Sequence, residues 1–183
     1  MKKTIFEIGE DRVIAETKFL TLIERPFHNT RTAKPGVWCM TESPAVPRRV
    51  IGCIGITPDN FLVCIEIYRI AQKAFVYEPI VGIVDDGEAP EDAASRELLE
   101  EVGYSSSEMV PLGPILFDPG MRAQKVDLYL ARNAVKVAEP ELENAEDIHV
   151  MLIPLADARA FLQSEAKAGK NVSASLLAAL LFV

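Results

Sequence analysis

Apolar positions alternate or cluster in short runs along the first third of the chain. Residues 4–8, 13–22 and 37–41 read as strands, interrupted by polar and Pro/Gly segments such as Lys34-Pro35-Gly36. Residues 1–45 therefore predict a small antiparallel β-meander with too few strands to stand alone. From Arg48 the signal strengthens. Two β-branched apolar runs, Val50–Ile56 and 61–68, flank Thr57-Pro58-Asp59-Asn60, where proline presets φ and Asp and Asn bond the local backbone; this predicts a hairpin. Proline in the first turn and Gly103 just past the end bound a helix over Pro90–Val102. Residues 109–117, 126–131 and 148–153 read as further strands. Pro154 is expected to open a helix running to Lys167, and Asn171 or Ser173 to cap a last helix carrying Leu176, Leu177, Leu180 and Leu181 at helical spacing. This order predicts an α/β (α+β) sandwich with a mixed sheet over residues 46–183, preceded by the meander of 1–45.

A chain of 183 residues, 49% hydrophobic and 25% charged, can bury a core without staples and is not a mostly disordered chain. Its three cysteines include no Cys-x-x-Cys pair, which argues against a disulfide framework and a thiolate zinc site. The start Met1-Lys2-Lys3-Thr4-Ile5 lacks a signal-peptide pattern, and the longest apolar stretch, 176–183, is far too short to cross a bilayer. A cytoplasmic protein with no membrane partner is expected. The net charge of −8, with no Lys/Arg block, argues against nucleic acid. The acidity is also concentrated: residues 82–104 hold eight acids and one base, and residues 139–147 five acids and no base, so the remainder is net basic.

At 100° per residue, Glu97, Glu100 and Glu101 share one face of the predicted helix, with Ala93 and Ala94 on that face one turn earlier. The apolar stripe of Leu98, Leu99 and Val102 points the other way. Like charges at i,i+3 and i,i+4 repel, and acids near a helix C-terminus oppose its dipole. A bound hard cation such as Mg²⁺ or Mn²⁺ would reward the arrangement, because such ions take carboxylate oxygens.

The run Gly82-Ile83-Val84-Asp85-Asp86-Gly87-Glu88, seven further residues, then Arg96-Glu97-Leu98-Leu99-Glu100-Glu101-Val102-Gly103-Tyr104 resembles the Nudix box. Gly82, Glu88, Arg96, Glu97, Glu100, Glu101 and Gly103 fill all its fixed positions, a coincidence expected on the order of once in a million chains of this length. The resemblance implies a Nudix hydrolase, with a Nudix-type α/β/α sandwich and metal-dependent cleavage of a nucleoside diphosphate linked to another group. It implies Glu97, Glu100, Glu101 and the carbonyl of Val81 as Mg²⁺ ligands, with Mn²⁺ as a substitute, and Arg96 and Glu88 as an ion pair orienting loop and helix.

Flanking residues resemble the ADP-ribose pyrophosphatase and nucleoside diphosphate sugar hydrolase branch. Ile67-Tyr68-Arg69 stands where that branch has Gln-Tyr-Arg, Glu78 stands four residues before Gly82, and Asp118-Pro119-Gly120 occupies the place of Ser-Pro-Gly. Where the branch carries a glutamate, this chain has Gln124, which hydrogen-bonds but takes no proton. The general base is therefore sought in the acidic loop 139–147, Glu146 first, with Glu143 and Glu141 in reserve. The resemblance implies that Arg69 holds the diphosphate, that Glu78, Pro119, Gly120 and Gln124 lie at the substrate, and that Trp38 and Phe27 stack on base or ribose. It also implies a homodimer formed through the N-terminal extension. The expected reaction is water attack on phosphorus in ADP-ribose or a related nucleoside diphosphate sugar. The alternatives are a non-catalytic nucleotide-sugar binder and a house-cleaning nucleoside triphosphate pyrophosphatase.

Overall fold

The computed structural model describes residues 3–42 and 49–183. The chain divides into two compact units, Met1–Arg48 with Leu116–Gln124, and Arg49–Ile115 with Lys125–Val183. The expected boundary between residues 45 and 46 lies outside the described residues.

In the first unit, β1 (Phe6–Ile8), β2 (Arg12–Glu16), β3 (Thr21–Asn29) and β4 (Lys34–Glu42) form an antiparallel sheet. β3 is its spine: β4 runs along one edge from Glu42 opposite Thr21 to Lys34 opposite Asn29, while β2 and β1 share the other edge. The run 13–22, expected as one strand, is broken because Thr17 Oγ1 accepts bonds from the N–H groups of Phe19 and Leu20 and closes a turn. The segment Lys34-Pro35-Gly36, expected as a break, lies inside β4. Proline is tolerated there because, among the described residues, β4 pairs only with β3 at that point. Gly36 leaves room for the Phe27 ring on the facing strand, whose Cζ a Cβ would meet at 2.3 Å. The segment Leu116–Gln124 is moored to β4, with Trp38 Nε1 donating to Gly120 O at 2.6 Å and Thr41 N to Met121 O at 2.8 Å.

The second unit contains β5 (Val50–Ile56), β6 (Phe61–Arg69), β7 (Ala74–Glu78), β8 (Ile80–Ile83), α1 (Pro90–Val102), β9 (Tyr104–Ser105), β10 (Glu108–Leu116), β11 (Lys125–Arg132), β12 (Val135–Lys136), β13 (Ile148–Pro154), α2 (Ala158–Lys167), β14 (Asn171–Val172) and α3 (Ala174–Ala179). Central β5 lies parallel to β11. Its other edge is shared, with β8 antiparallel at Val50–Cys53 and β6 at Gly55 and Ile56. β6 then pairs with β7 and β13, and β10 and β14 extend the sheet. One face buries Ile51, Ile65 and Ile80 against Ala94, Leu98 and Val102 of α1; the other buries Ile54, Leu62 and Leu128 against Leu162 of α2 and Leu176 of α3. The expected mixed sheet between helices is present.

Two strands are added, one helix start moves, and one cap is decided between two candidates. Strands β7 and β8 carry no separate signal, since only Pro79 parts them. Pro154 ends β13 opposite Phe61 rather than opening α2, which begins at Ala158 after a turn. Ser173 caps α3, its Oγ accepting from Leu176 N. Among the described residues no helix is long and apolar enough to cross a membrane.

Candidate functional site

Helix α1 is fixed at both ends. Pro90 occupies its first turn, and Gly103 ends it at φ 73°, where a Cβ would also lie 2.1 Å from the Ala138 carbonyl oxygen. The faces of α1 differ from the wheel expectation. Ala93 and Ala94 are fully buried in the core instead of leaving room on an acidic face, and Leu99 is 42% exposed. Glu101 points inward with them and is only 4% exposed. The sheet draws in the arc centred on Ala94, Leu98 and Glu101, so one of the three carboxylates is buried among apolar side chains.

Burial, then the charges of Glu97 and Glu146, push the Glu101 carboxyl up to about 8; the Val81 backbone N–H and Arg69 oppose this without cancelling it. Its Oε2 is buried without a hydrogen-bond partner. In an extended strand the N–H and C=O of one residue point to the same side, so the edge of Val81 that meets Glu101 also carries its carbonyl. Glu97 lies against Gly82, where a Cβ would fall 2.0 Å from its Oε1. Burial pushes the Glu97 carboxyl up, against the pull of Arg96.

Arg96 spends its donors on five acceptors. Nε and Nη2 grip Glu88 at 2.9 and 3.1 Å, Nη2 also reaches Ile83 O at 3.1 Å, and Nη1 meets Glu97 Oε1 at 2.8 Å and Glu100 Oε2 at 3.0 Å. Glu88 is in turn held by the Asp85 N–H at 2.9 Å, and Arg96 holds its carboxyl below the usual range. The Ile83 carbonyl and the Asp85 N–H are site groups that no side-chain motif could flag.

The acidic loop is moored to the end of the helix through Glu141 N to Glu100 O at 2.8 Å. Within it the Glu143 N–H donates to Glu146 Oε2 at 2.7 Å. Glu146 bears electrostatically on Glu97, Glu101 and Arg69, whereas Glu143 is exposed. Arg69 forks onto Glu78 at 2.7 and 3.2 Å, so these two residues face each other.

In the first unit, Phe27, Trp38, Pro119 and Gly120 come together around a mostly apolar cavity of about 330 Å³, which Phe6, Met40, Met121 and Arg122 also line. Those last residues carried no recognisable signal. Gln124 ends the same segment and is not among the lining residues.

Hard-cation chemistry fits the carboxylate group: three glutamates of one helix, a buried oxygen left unpaired and a glycine cleared for Glu97 all suit an oxygen-seeking divalent ion. Among the described residues no set of three acidic, imidazole or thiolate groups is already closed around one point. Arg96 holds two of the three glutamates.

The chain is 27% identical over 115 residues to an ADP-ribose pyrophosphatase of Bacillus subtilis, covering 62% of each chain. It is 28% identical over 190 residues to a putative nudix hydrolase 2 of Caenorhabditis elegans, covering 94% of this chain and 83% of that one. It is 27% identical over 120 residues to the ADP compounds hydrolase NudE of Escherichia coli, covering 65% of this chain and 64% of that one. The chain thus spans less than two thirds of the Bacillus subtilis and Escherichia coli proteins. A crystal structure of an ADP compounds hydrolase shares the fold at a TM-score of 0.75 and 21% identity, over 89% of this chain and 86% of that one. The NUDIX domain family matches residues 46–176, a region that takes in the whole sandwich from β5 to the start of α3. The chain belongs to the Nudix family.

Proposed function

We propose that the protein hydrolyses the diphosphate bond of ADP-ribose or a related nucleoside diphosphate sugar, with Mg²⁺ as cofactor and Mn²⁺ as substitute, releasing a nucleoside monophosphate and a sugar phosphate. The observation that carries this reading is Glu101, a buried carboxylate with an unpaired oxygen beside Glu97 and Glu100. The names of the Bacillus subtilis and Escherichia coli relatives support the substrate class.

In this reading Glu97, Glu100, Glu101 and the Val81 carbonyl hold the ions. The bound ions supply charge neutralisation and a water of lowered pKa. Glu146 takes the proton of the attacking water or adds a ligand, with Glu143 and Glu141 as the alternatives on its loop; a positioned base of this kind contributes about 10²–10⁴-fold. Arg69, oriented by its fork on Glu78, binds diphosphate oxygens. Phe27 and Trp38 stack on base or ribose in the apolar cavity, with Pro119 and Gly120 shaping its wall, and Gln124 hydrogen-bonds the substrate.

We also propose a homodimer built on the first unit, residues 1–45 forming a dimerisation extension to a domain of 46–183. Val13 and Ile14 of β2 are 61% and 52% exposed, apolar surface that a second copy can cover. Cys39, Cys53 and Cys64 are unpaired, which fits the reducing cytoplasm.

The test is release of phosphomonoester from ADP-ribose, GDP-mannose, UDP-glucose, NADH and nucleoside triphosphates with and without Mg²⁺ or Mn²⁺. ADP-ribose should give AMP and ribose 5-phosphate. No turnover of any compound with either ion refutes the proposal. Light scattering at a single-chain mass refutes the dimer.

A further inference from the structure

We infer that Arg96 is a resident counter-cation of the metal centre: its Nη1 holds Glu97 and Glu100 in the metal-free protein and is displaced from both when a divalent ion binds. The inference rests on the proposed reading of these glutamates as metal ligands.

The guanidinium has five N–H donors, and all five are spent in two groups. Three form a fixed anchor, with Nε and Nη2 forked on Glu88 and Nη2 reaching the Ile83 carbonyl. The anchor is itself braced, because the Asp85 N–H donates to Glu88 Oε2 and the Glu88 N–H to Asp85 O at 3.0 Å. The other two donors sit on one nitrogen, Nη1, and both go to glutamates that a metal ion needs. The residue can therefore give up Glu97 and Glu100 without leaving its place: a divalent ion takes over their charge while the Glu88 side stays closed. Glu101, which Arg96 does not reach, is the carboxylate left open for the first contact. The cost of the mismatch between three close carboxylates and no metal is thus partly met by a protein cation.

Such an arrangement makes Arg96 a competitor of the metal as well as a brace. Each ion pair it gives up is partly exposed, the arginine side chain at 30% and its partners at 13% and 45%. Pairs of that kind change binding by a few fold each, so removing the competing charge should tighten metal binding by about 3–10-fold in total.

Two measurements test this, and neither needs turnover. Calorimetric titration of the metal-free protein with Mn²⁺ should show tighter binding for Arg96→Gln than for the wild type. Weaker or equal binding by a folded variant overturns the inference and leaves Arg96 as a brace only. In case the variant fails to fold, the wild type is followed by arginine side-chain ¹⁵N NMR during Mg²⁺ titration. Saturation should shift the Arg96 Nη signals and leave its Nε signal, held by Glu88, in place. Unchanged Nη signals in a protein that binds Mg²⁺ overturn this inference alone, and absence of any metal binding overturns the metal centre with it.

Discussion

Glu101 makes the metal-free protein sensitive to pH in a direction opposite to most paired carboxylates. Its carboxyl rises from an ordinary 4.5 to about 8, first through burial and then through Glu97 and Glu146. Because the folded value lies above the unfolded one, the protonated form favours the fold. That contribution is complete below about pH 4.5 and is lost as pH climbs through 8. At about 1.4 kcal/mol per pH unit the whole effect is on the order of 4–5 kcal/mol, of which about 3 kcal/mol should appear between pH 5 and 8.

The perturbation is Glu101→Gln, which keeps the shape and removes the titration. Urea unfolding of both proteins in EDTA at pH 5, 6, 7 and 8 gives the stability difference at each pH. Any fixed cost of burying an amide beside the Val81 edge cancels in the slope. The variant should gain on the wild type steadily as pH rises, by about 3 kcal/mol in all. Saturating Mg²⁺ should flatten the wild-type slope, since an ion takes the place of the proton. A difference that stays constant from pH 5 to 8 would refute the reasoning, because Glu101 would then titrate in the folded protein as it does in water.

Gly82→Ala should push the Glu97 carboxylate aside, since the new methyl meets the end of a side chain 2.0 Å away rather than backbone; Mn²⁺ affinity should fall at least about tenfold with the fold intact by circular dichroism. Lys73 holds φ at 52° in the turn between β6 and β7, so Lys73→Gly should raise stability to urea by about 1 kcal/mol. Trp38→Phe removes the donor to Gly120 O and should cost about 1 kcal/mol, read from urea unfolding followed by NMR signals of the first unit.

What the sequence made legible follows from where the physics is local. Helix α1 was readable to the residue because proline and glycine stand at its ends, and Gly103 is held at positive φ. β5 was readable because it is buried along nearly its whole length, so every position is apolar. β3 was not, and β4 was readable only over 37–41, since their sheet is largely wet: Glu24 and Arg25 are as much at home in it as Ile23. Here pairing between strands, not burial, makes the element, and pairing leaves no periodic trace in one chain. The same holds for Pro35, which only knowledge of the open edge makes acceptable.

The site divides along the same line. Residue types and spacing put three glutamates on one helix, but the wheel set them against the apolar stripe, as though charge and core must oppose each other. The structure buries Glu101 with Ala94 and Leu98 and leaves Leu99 in water. A buried acid with one oxygen left unpaired is a cost that a stable fold does not carry idly. The departure from the amphipathic pattern is therefore the most informative feature of the helix. It marks the one position of the helix where packing alone would have chosen an apolar residue, and where, under the proposed function, a divalent ion would give the carboxylate its reason to be there.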